Sequence, residues 1–165
     1  MVRLPSLRLG VGVALALAIA VTAVGGAFVL ASPDLVLVVT ATDTGETILE
    51  RPVENGTAVG LEYMHSVEKS RVYDGYAVRG RELVLTRMEF ESYGWGLPAD
   101  ANVTNRNGTL VYDPPGSVSE LLVSPGEIAG HELHVGTDTY DLVDRAEGSS
   151  VRITLQRRST IDKLP

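Results

Sequence analysis

The sequence predicts an all-β domain, an antiparallel β-sandwich or barrel-like fold, preceded by a single N-terminal transmembrane helix. Three observations predict it. Residues 9–31 form an uncharged apolar run, long enough as a helix to cross a hydrocarbon core of about 30 Å. Past Pro33 the apolar residues recur at alternate positions, the period of a strand. Turn formers, among them Asp43-Thr44-Gly45, Asn55-Gly56, Asn107-Gly108 and Gly136-Thr137-Asp138, cut that alternating part into short strands, and short strands at such spacing indicate a sandwich or barrel.

The chain therefore divides into a signal-anchor segment at 1–33, an extracytoplasmic β domain at 34–158 and a flexible tail at 159–165. A cleavable signal peptide has a shorter apolar region, about 7 to 15 residues, ending in small residues. Val29-Leu30-Ala31 supplies such a site, but the length of the run favours a retained helix. Arg3 and Arg8 precede it and hold the N-terminus in the cytoplasm, placing everything after Ser32 outside the cell membrane. Expected strands follow at 35–42, 47–53, 57–67, 71–78, 82–92, 109–112, 132–135, 139–143 and 151–156. A long connection opens at Asp113-Pro114-Pro115-Gly116, with a short helical turn expected at 118–122.

Charge narrows the function classes. Setting aside Arg3 and Arg8, 12 basic residues face 21 acidic ones, a balance of −9. Nucleic acid is an unfit partner, because its phosphates require a basic patch. Lys69 and Lys163 are the only lysines, and an acid excess with few lysines fits a protein kept soluble in a halophilic setting. The sequons at Asn55, Asn102 and Asn107 are glycosylation candidates consistent with an exterior address. The chain has no cysteine, so disulfide and thiol chemistry are absent.

The hairpin from Val59 to Val78 carries the first candidate site. On the first strand the apolar face is Val59, Leu61, Tyr63, His65 and Val67; on the second it is Val72, Asp74, Tyr76 and Val78. A turn centred on Lys69-Ser70 brings these faces together, with His65 opposite Asp74, Val67 opposite Val72 and Glu68 opposite Arg71. Directly opposed Cβ atoms lie about 4.5 to 5.5 Å apart, within reach of a carboxylate–imidazole bond. Such a pair either satisfies itself structurally or holds a ligand or partner. In either case Asp74→Asn is expected to lose stability mainly at low pH, where His65 is charged.

The second candidate is Tyr93-Gly94-Trp95-Gly96. Its glycines permit close backbone approach, and its aromatics either cover the end of the fold or anchor a ligand or partner. His131-Glu132-Leu133-His134 has a metal-like spacing only on a helix. On the expected strand the two histidines point to opposite faces, so neither a metal nor a cofactor is expected. Ser66 points away from His65, and no nucleophile–base triad is visible.

The segments His65-Ser66-Val67-Glu68-Lys69-Ser70-Arg71-Val72-Tyr73-Asp74 and Phe90-Glu91-Ser92-Tyr93-Gly94-Trp95-Gly96-Leu97-Pro98 resemble the two signature segments of the domain of unknown function 1850 family. Gly130-His131-Glu132-Leu133-His134-Val135-Gly136 with Tyr140-Asp141-Leu142 is similar to its C-terminal segment. The resemblance places the motif's histidine on His65, its glutamate on Glu68 and its second acid on Asp74, one methylene shorter than usual. Ser70-Arg71 replaces the family's Thr-Pro, and Trp95 its small residue between the glycines. Members are small exported or anchored proteins encoded beside tripartite ATP-independent periplasmic (TRAP) transporters of the TAXI type, with no assigned activity. The resemblance thus implies a non-enzymatic accessory domain at the membrane, contacting a transporter membrane subunit or its solute receptor. The alternative is a small-ligand or hydrolytic site using His65, Glu68 and Asp74.

The apolar run makes a direct prediction. The mature chain is expected to retain it and to stay with the membrane fraction; recovery of a soluble form beginning near Ser32 would refute retention.

Overall fold

The computed structural model describes residues 34–92, 103–113 and 115–158. The expected membrane span, the Tyr93-Gly94-Trp95-Gly96 loop, Asn102 and the expected tail lie outside those residues. Among the described residues no helix is long and apolar enough to cross a membrane.

Alternation from Leu35 onward resolves into antiparallel strands: β1 (Leu35–Ala41), β2 (Thr47–Val53), β3 (Ala58–Met64), β4 (Arg71–Arg79), β5 (Glu82–Phe90) and β6 (Thr104–Arg106). They continue as β7 (Thr109–Tyr112), β8 (Ser117–Val118), β9 (Glu120–Val123), β10 (Glu132–Val135), β11 (Asp138–Asp141) and β12 (Val151–Arg157), with helix α1 (Leu142–Ala146) before β12. The smaller sheet runs β2-β1-β12-β9. The larger runs β11-β10-β3-β4-β5-β7-β6, and β8 pairs with β5. The fold is all-β.

One core cluster draws on both sheets: Leu37 and Val39 of β1 with Ile153 and Leu155 of β12, and Val59 and Leu61 of β3 with Val78 and Leu133. Leu37, Val39, Val78, Leu133 and Ile153 are fully buried, each such side chain contributing roughly 1.5 to 3 kcal/mol. Helix α1 plugs into this cluster through Leu142 and Ala146, four residues apart and so on one helical face. Asp141 caps it, accepting from Val143 N at 2.8 Å and Asp144 N at 3.1 Å.

Three expectations need correction. Residues 118–122 do not form a helical turn; Ser117–Val118 pairs with β5 and Glu120–Val123 with β12. Leu121 and Val123, two apart, pack on the core from that strand, which a helical turn would not allow. Residues 139–143 split between the end of β11 and the start of α1.

The third correction concerns the hairpin register. β3 ends at Met64, before His65, and β4 begins at Arg71. Between them Ser66 to Glu68 form a turn, closed by His65 N donating to Ser70 O at 2.8 Å and Lys69 N to His65 O at 2.9 Å. Lys69 takes a left-handed φ of 55°. Leu61 therefore opposes Asp74, Tyr63 opposes Val72 and Met64 opposes Arg71. His65 does not face Asp74, nor Glu68 Arg71, and Val67 is 68% exposed instead of packing on Val72. The whole pairing is displaced by an even number of residues. Because the side-chain period is two, the apolar faces still coincide.

Ala58 and Ala77 oppose each other in the observed register, and the protein has no cysteine to interfere. Opposed Cβ atoms lie about 4.5 to 5.5 Å apart, close to disulfide reach. Ala58→Cys with Ala77→Cys is expected to cross-link under mild oxidation without loss of fold, whereas Glu62→Cys with Ala77→Cys, opposed only in the sequence-expected register, is not. Mass spectrometry of the non-reduced chain reads both.

Candidate functional site

The central strands of the large sheet present polar chemistry on both faces. On the outer face, Glu62 of β3, Arg71 and Tyr73 of β4, Arg87 and Glu89 of β5, and His134 of β10 stand side by side, because those residues alternate with the core-facing ones. Arg71 grips Glu62 with two parallel bonds, Nε to Oε1 and Nη2 to Oε2, both 2.8 Å, the bidentate geometry a guanidinium favours. Its Nη1 reaches Glu89 at 3.4 Å, and Arg87 Nε holds the other Glu89 oxygen at 3.1 Å.

Tyr73 stands within this array. The guanidinium carbons of Arg71 and Arg87 each sit 5.4 Å from its ring centroid, a cation–π clamp. The ring crosses β3 at Gly60, where an added Cβ would stand 2.6 Å from Cε2 of Tyr73; only glycine lets the ring pass so close to the backbone.

His134 completes the row. Its Nδ1 pairs with Thr139 Oγ1 at 3.0 Å, and its Nε2, 3.6 Å from Glu62 Oε2, makes no hydrogen bond. Glu62 thus has Arg71 on one side and His134 on the other. The Arg71 hydrogen bonds, more than the His134 charge, hold its carboxyl below the usual carboxylate range.

The inner face carries a second group. Asp74 projects inward beside Val72 and Tyr76, with Leu61 opposite on β3 and Met88 opposite on β5. Its Oδ1 is buried without a hydrogen-bond partner, and burial pushes the carboxyl up to about 6. Burial, and then the charge of Asp74, raises the Tyr63 hydroxyl to about 12 and raises Tyr76 as well. His131 stacks on Tyr63, centroids 5.3 Å apart and planes 16° from parallel; burial lowers its pKa. His131, which precedes β10, thus stacks on Tyr63, and His134, within β10, stands beside Glu62. Among the described residues no cluster could hold a metal ion.

Of the residues singled out in the sequence, His65 and Glu68 share the β3–β4 turn, where Glu68 N donates to His65 Nδ1 at 3.3 Å. Asp74 belongs to the inner face and is not brought to them. Asn55 lies in an exposed turn, its Oδ1 accepting from Gly80 N at 2.6 Å. Asn107 is exposed in the β6–β7 turn at a φ of 55°. Tyr93, Gly94, Trp95, Gly96 and Asn102 fall outside the described residues. The outer-face row was missed, although the signal was present: the positions between the apolar ones, Glu62, Arg71, Tyr73 and His134, are all polar or aromatic.

Asp74 makes the pH dependence testable, with a sign opposite to that expected of a His65 pair. Its native pKa lies above the ordinary value of 3.8. The stabilisation it provides is therefore fully present below about 4 and is lost as pH rises through about 6. Asp74→Asn is expected to abolish that loss, so the variant gains on the parent by up to about 3 kcal/mol between pH 4 and 7. His131 contributes in the other direction, since its lowered pKa costs stability as pH falls. The difference between parent and variant, measured by urea unfolding at each pH, cancels that term. A variant that loses most stability at low pH would overturn the assignment.

A family model described as domain of unknown function (DUF1850) matches residues 59–142, just over half of the chain and the whole of both faces above. No curated protein and no solved structure matches the chain. The matched span holds the β3–β4 hairpin, the Tyr73 clamp and the His131–His134 strand, and this chain belongs to the DUF1850 family.

Proposed function

We propose that this protein is a non-enzymatic docking domain, held at the outer surface of the cell membrane by residues 9–31, and that the outer face of its large sheet contacts a membrane transport protein. The observation that carries the reading is the Tyr73 clamp. An aromatic ring with two guanidinium groups over it on the outer sheet face is a preorganised contact element, and tyrosine and arginine are among the residue types that dominate binding energy at protein interfaces. The surrounding carboxylates hold Arg71 and Arg87 in place, so little side-chain entropy remains to be lost on binding.

Three further points support it. The row lies on the outer face, whereas small-molecule sites are concave. Among the described residues, the cavity at the β1 start and the cavity along β12 are lined by residues other than His65, Glu68 and Asp74. The apolar run and the family resemblance favour an anchored protein working beside a TRAP transporter of the TAXI type, and the acid excess of 21 against 14 basic residues fits an exterior rich in salt.

The test uses the intact chain in its own membranes. Arg87 is half exposed, so Arg87→Ala is expected to change stability by no more than about 1 kcal/mol. The same change should weaken co-purification of a transport protein at least tenfold, about 1.4 kcal/mol. Unchanged association with Arg87→Ala, in a chain that still melts normally, would sink the reading.

A further inference from the structure

Of the described arginines, Arg79 donates to Val78 O, Arg145 lies over the Tyr140 ring and Arg106 stands exposed at the end of β6; the other seven fall into two groups. Arg51 pairs with Asp138, Arg71 with Glu62 and Glu89, Arg87 with Glu89, and Arg152 with Glu120. Arg81, Arg157 and Arg158 instead line one cavity of about 600 Å³ together with Asp34, Glu54 and Asn55. Among the described residues, none of the three guanidinium groups forms an ion pair or hydrogen bond. Scarcity of acids is not the reason, since the chain has 21 of them.

The backbone holds these three positions firmly. Arg81 occupies the two-residue β4–β5 turn after Gly80, whose φ of 60° is the form such a hairpin requires at its first position. Gly80 N is tied to Asn55 Oδ1 at 2.6 Å, linking this turn to the one between β2 and β3. Arg157 ends β12 opposite Leu35, and Arg158 N donates to Asp34 O at 2.8 Å. Asp34 and Glu54 line the same concavity, so its three guanidinium groups leave an excess of one positive charge there, which an anion shared by several forks neutralises. A tetrahedral oxyanion suits guanidinium groups best.

We propose that this cleft binds a phosphate group, carried by an anionic lipid headgroup or by a free phosphate compound. The apolar run 9–31 ends three residues before Asp34, and the anchored reading of that run makes a lipid headgroup one source of the phosphate. Only the lipid source rests on the anchored reading; phosphate binding itself does not.

The full chain, purified in a neutral detergent, is titrated with inorganic phosphate, and separately incorporated into nanodiscs of phosphatidylglycerol or phosphatidylcholine to measure retained lipid by native mass spectrometry. The parent is expected to bind phosphate, or to retain phosphatidylglycerol over phosphatidylcholine. The double variant Arg81→Gln with Arg157→Gln should lose at least tenfold in whichever response the parent gives. A response to lipid alone assigns a headgroup, and a response to inorganic phosphate as well assigns a free phosphate compound. If the double variant does not fold, Arg158→Gln alone is read in the same way. A parent inert to both probes, or folded variants that respond as the parent does, overturns the proposal. Because neither Arg81 nor Arg157 belongs to the Tyr73 row, failure here leaves the Arg87→Ala test of docking unaffected.

Discussion

The two-residue side-chain period of β3 and β4 is the constraint on which the rest of the structure depends. Val59, Leu61 and Tyr63 face inward, so Gly60 and Glu62 must face outward; Val72, Tyr76 and Val78 face inward, so Arg71 and Tyr73 face outward. The neighbours obey the same division, with Leu133 of β10 in the core cluster and His134 beside Glu62. A slip of one residue between β3 and β4 would place Arg71 and Tyr73 against Leu37 and Ile153 and expose the apolar set, which is why such pairings are firmly specified. The outer polar row and the core are one decision made by the same strands.

That division explains why Asp74 is unusual. It occupies an inward position flanked by Val72 and Tyr76, and its Oδ1 has no hydrogen-bond partner. A charged carboxylate there loses hydration that nothing nearby replaces. Tyr63 and Tyr76 are close enough to feel its charge but leave Oδ1 unbonded. The sheet nevertheless tolerates it, because the carboxyl can protonate at about 6. Glu62, one strand away on the other face, shows the opposite solution: a carboxylate left partly exposed and held charged by Arg71.

Much of this was legible in the sequence, and the parts that were not share a cause. Alternation placed β1, β2, β4, β7 and β10 within a residue or so, and assigned the inward faces of β3 and β4 correctly. Their register was not legible, because it depends on how many residues the turn absorbs. His65 to Ser70 close by a left-handed Lys69, a conformation uncommon for a non-glycine residue. The short strands β6 and β8 carry too few residues for a period to show. Helix α1 was hidden because its five residues make barely more than one turn, and its capping Asp141 also ends a strand. The polar row was not legible because a polar residue stands out in a sequence only among apolar ones, whereas Arg71 and Tyr73 gain their order from neighbours on adjacent strands that only the three-dimensional register brings together.

Position also accounts for the partition of the arginines. On a sheet face, residues on adjacent strands lie about 5 Å apart, so a guanidinium finds a carboxylate by register alone, as Arg71 does with Glu62 and Arg152 with Glu120. At strand ends that lateral register is absent, and Arg81, Arg157 and Arg158 share a cavity with Asp34 and Glu54 where turns and a strand terminus converge. At 1 M salt the Debye length shrinks to about 3 Å, and the field of the acid excess is screened within the first layer of solvent. Direct guanidinium–oxyanion contacts within a concavity are shorter than that screening can fully reach. The net negative charge of the chain therefore does not bar a phosphate from the proposed cleft: over long distances the protein acts as an anion, and at contact distance three guanidinium groups outnumber the two carboxylates beside them.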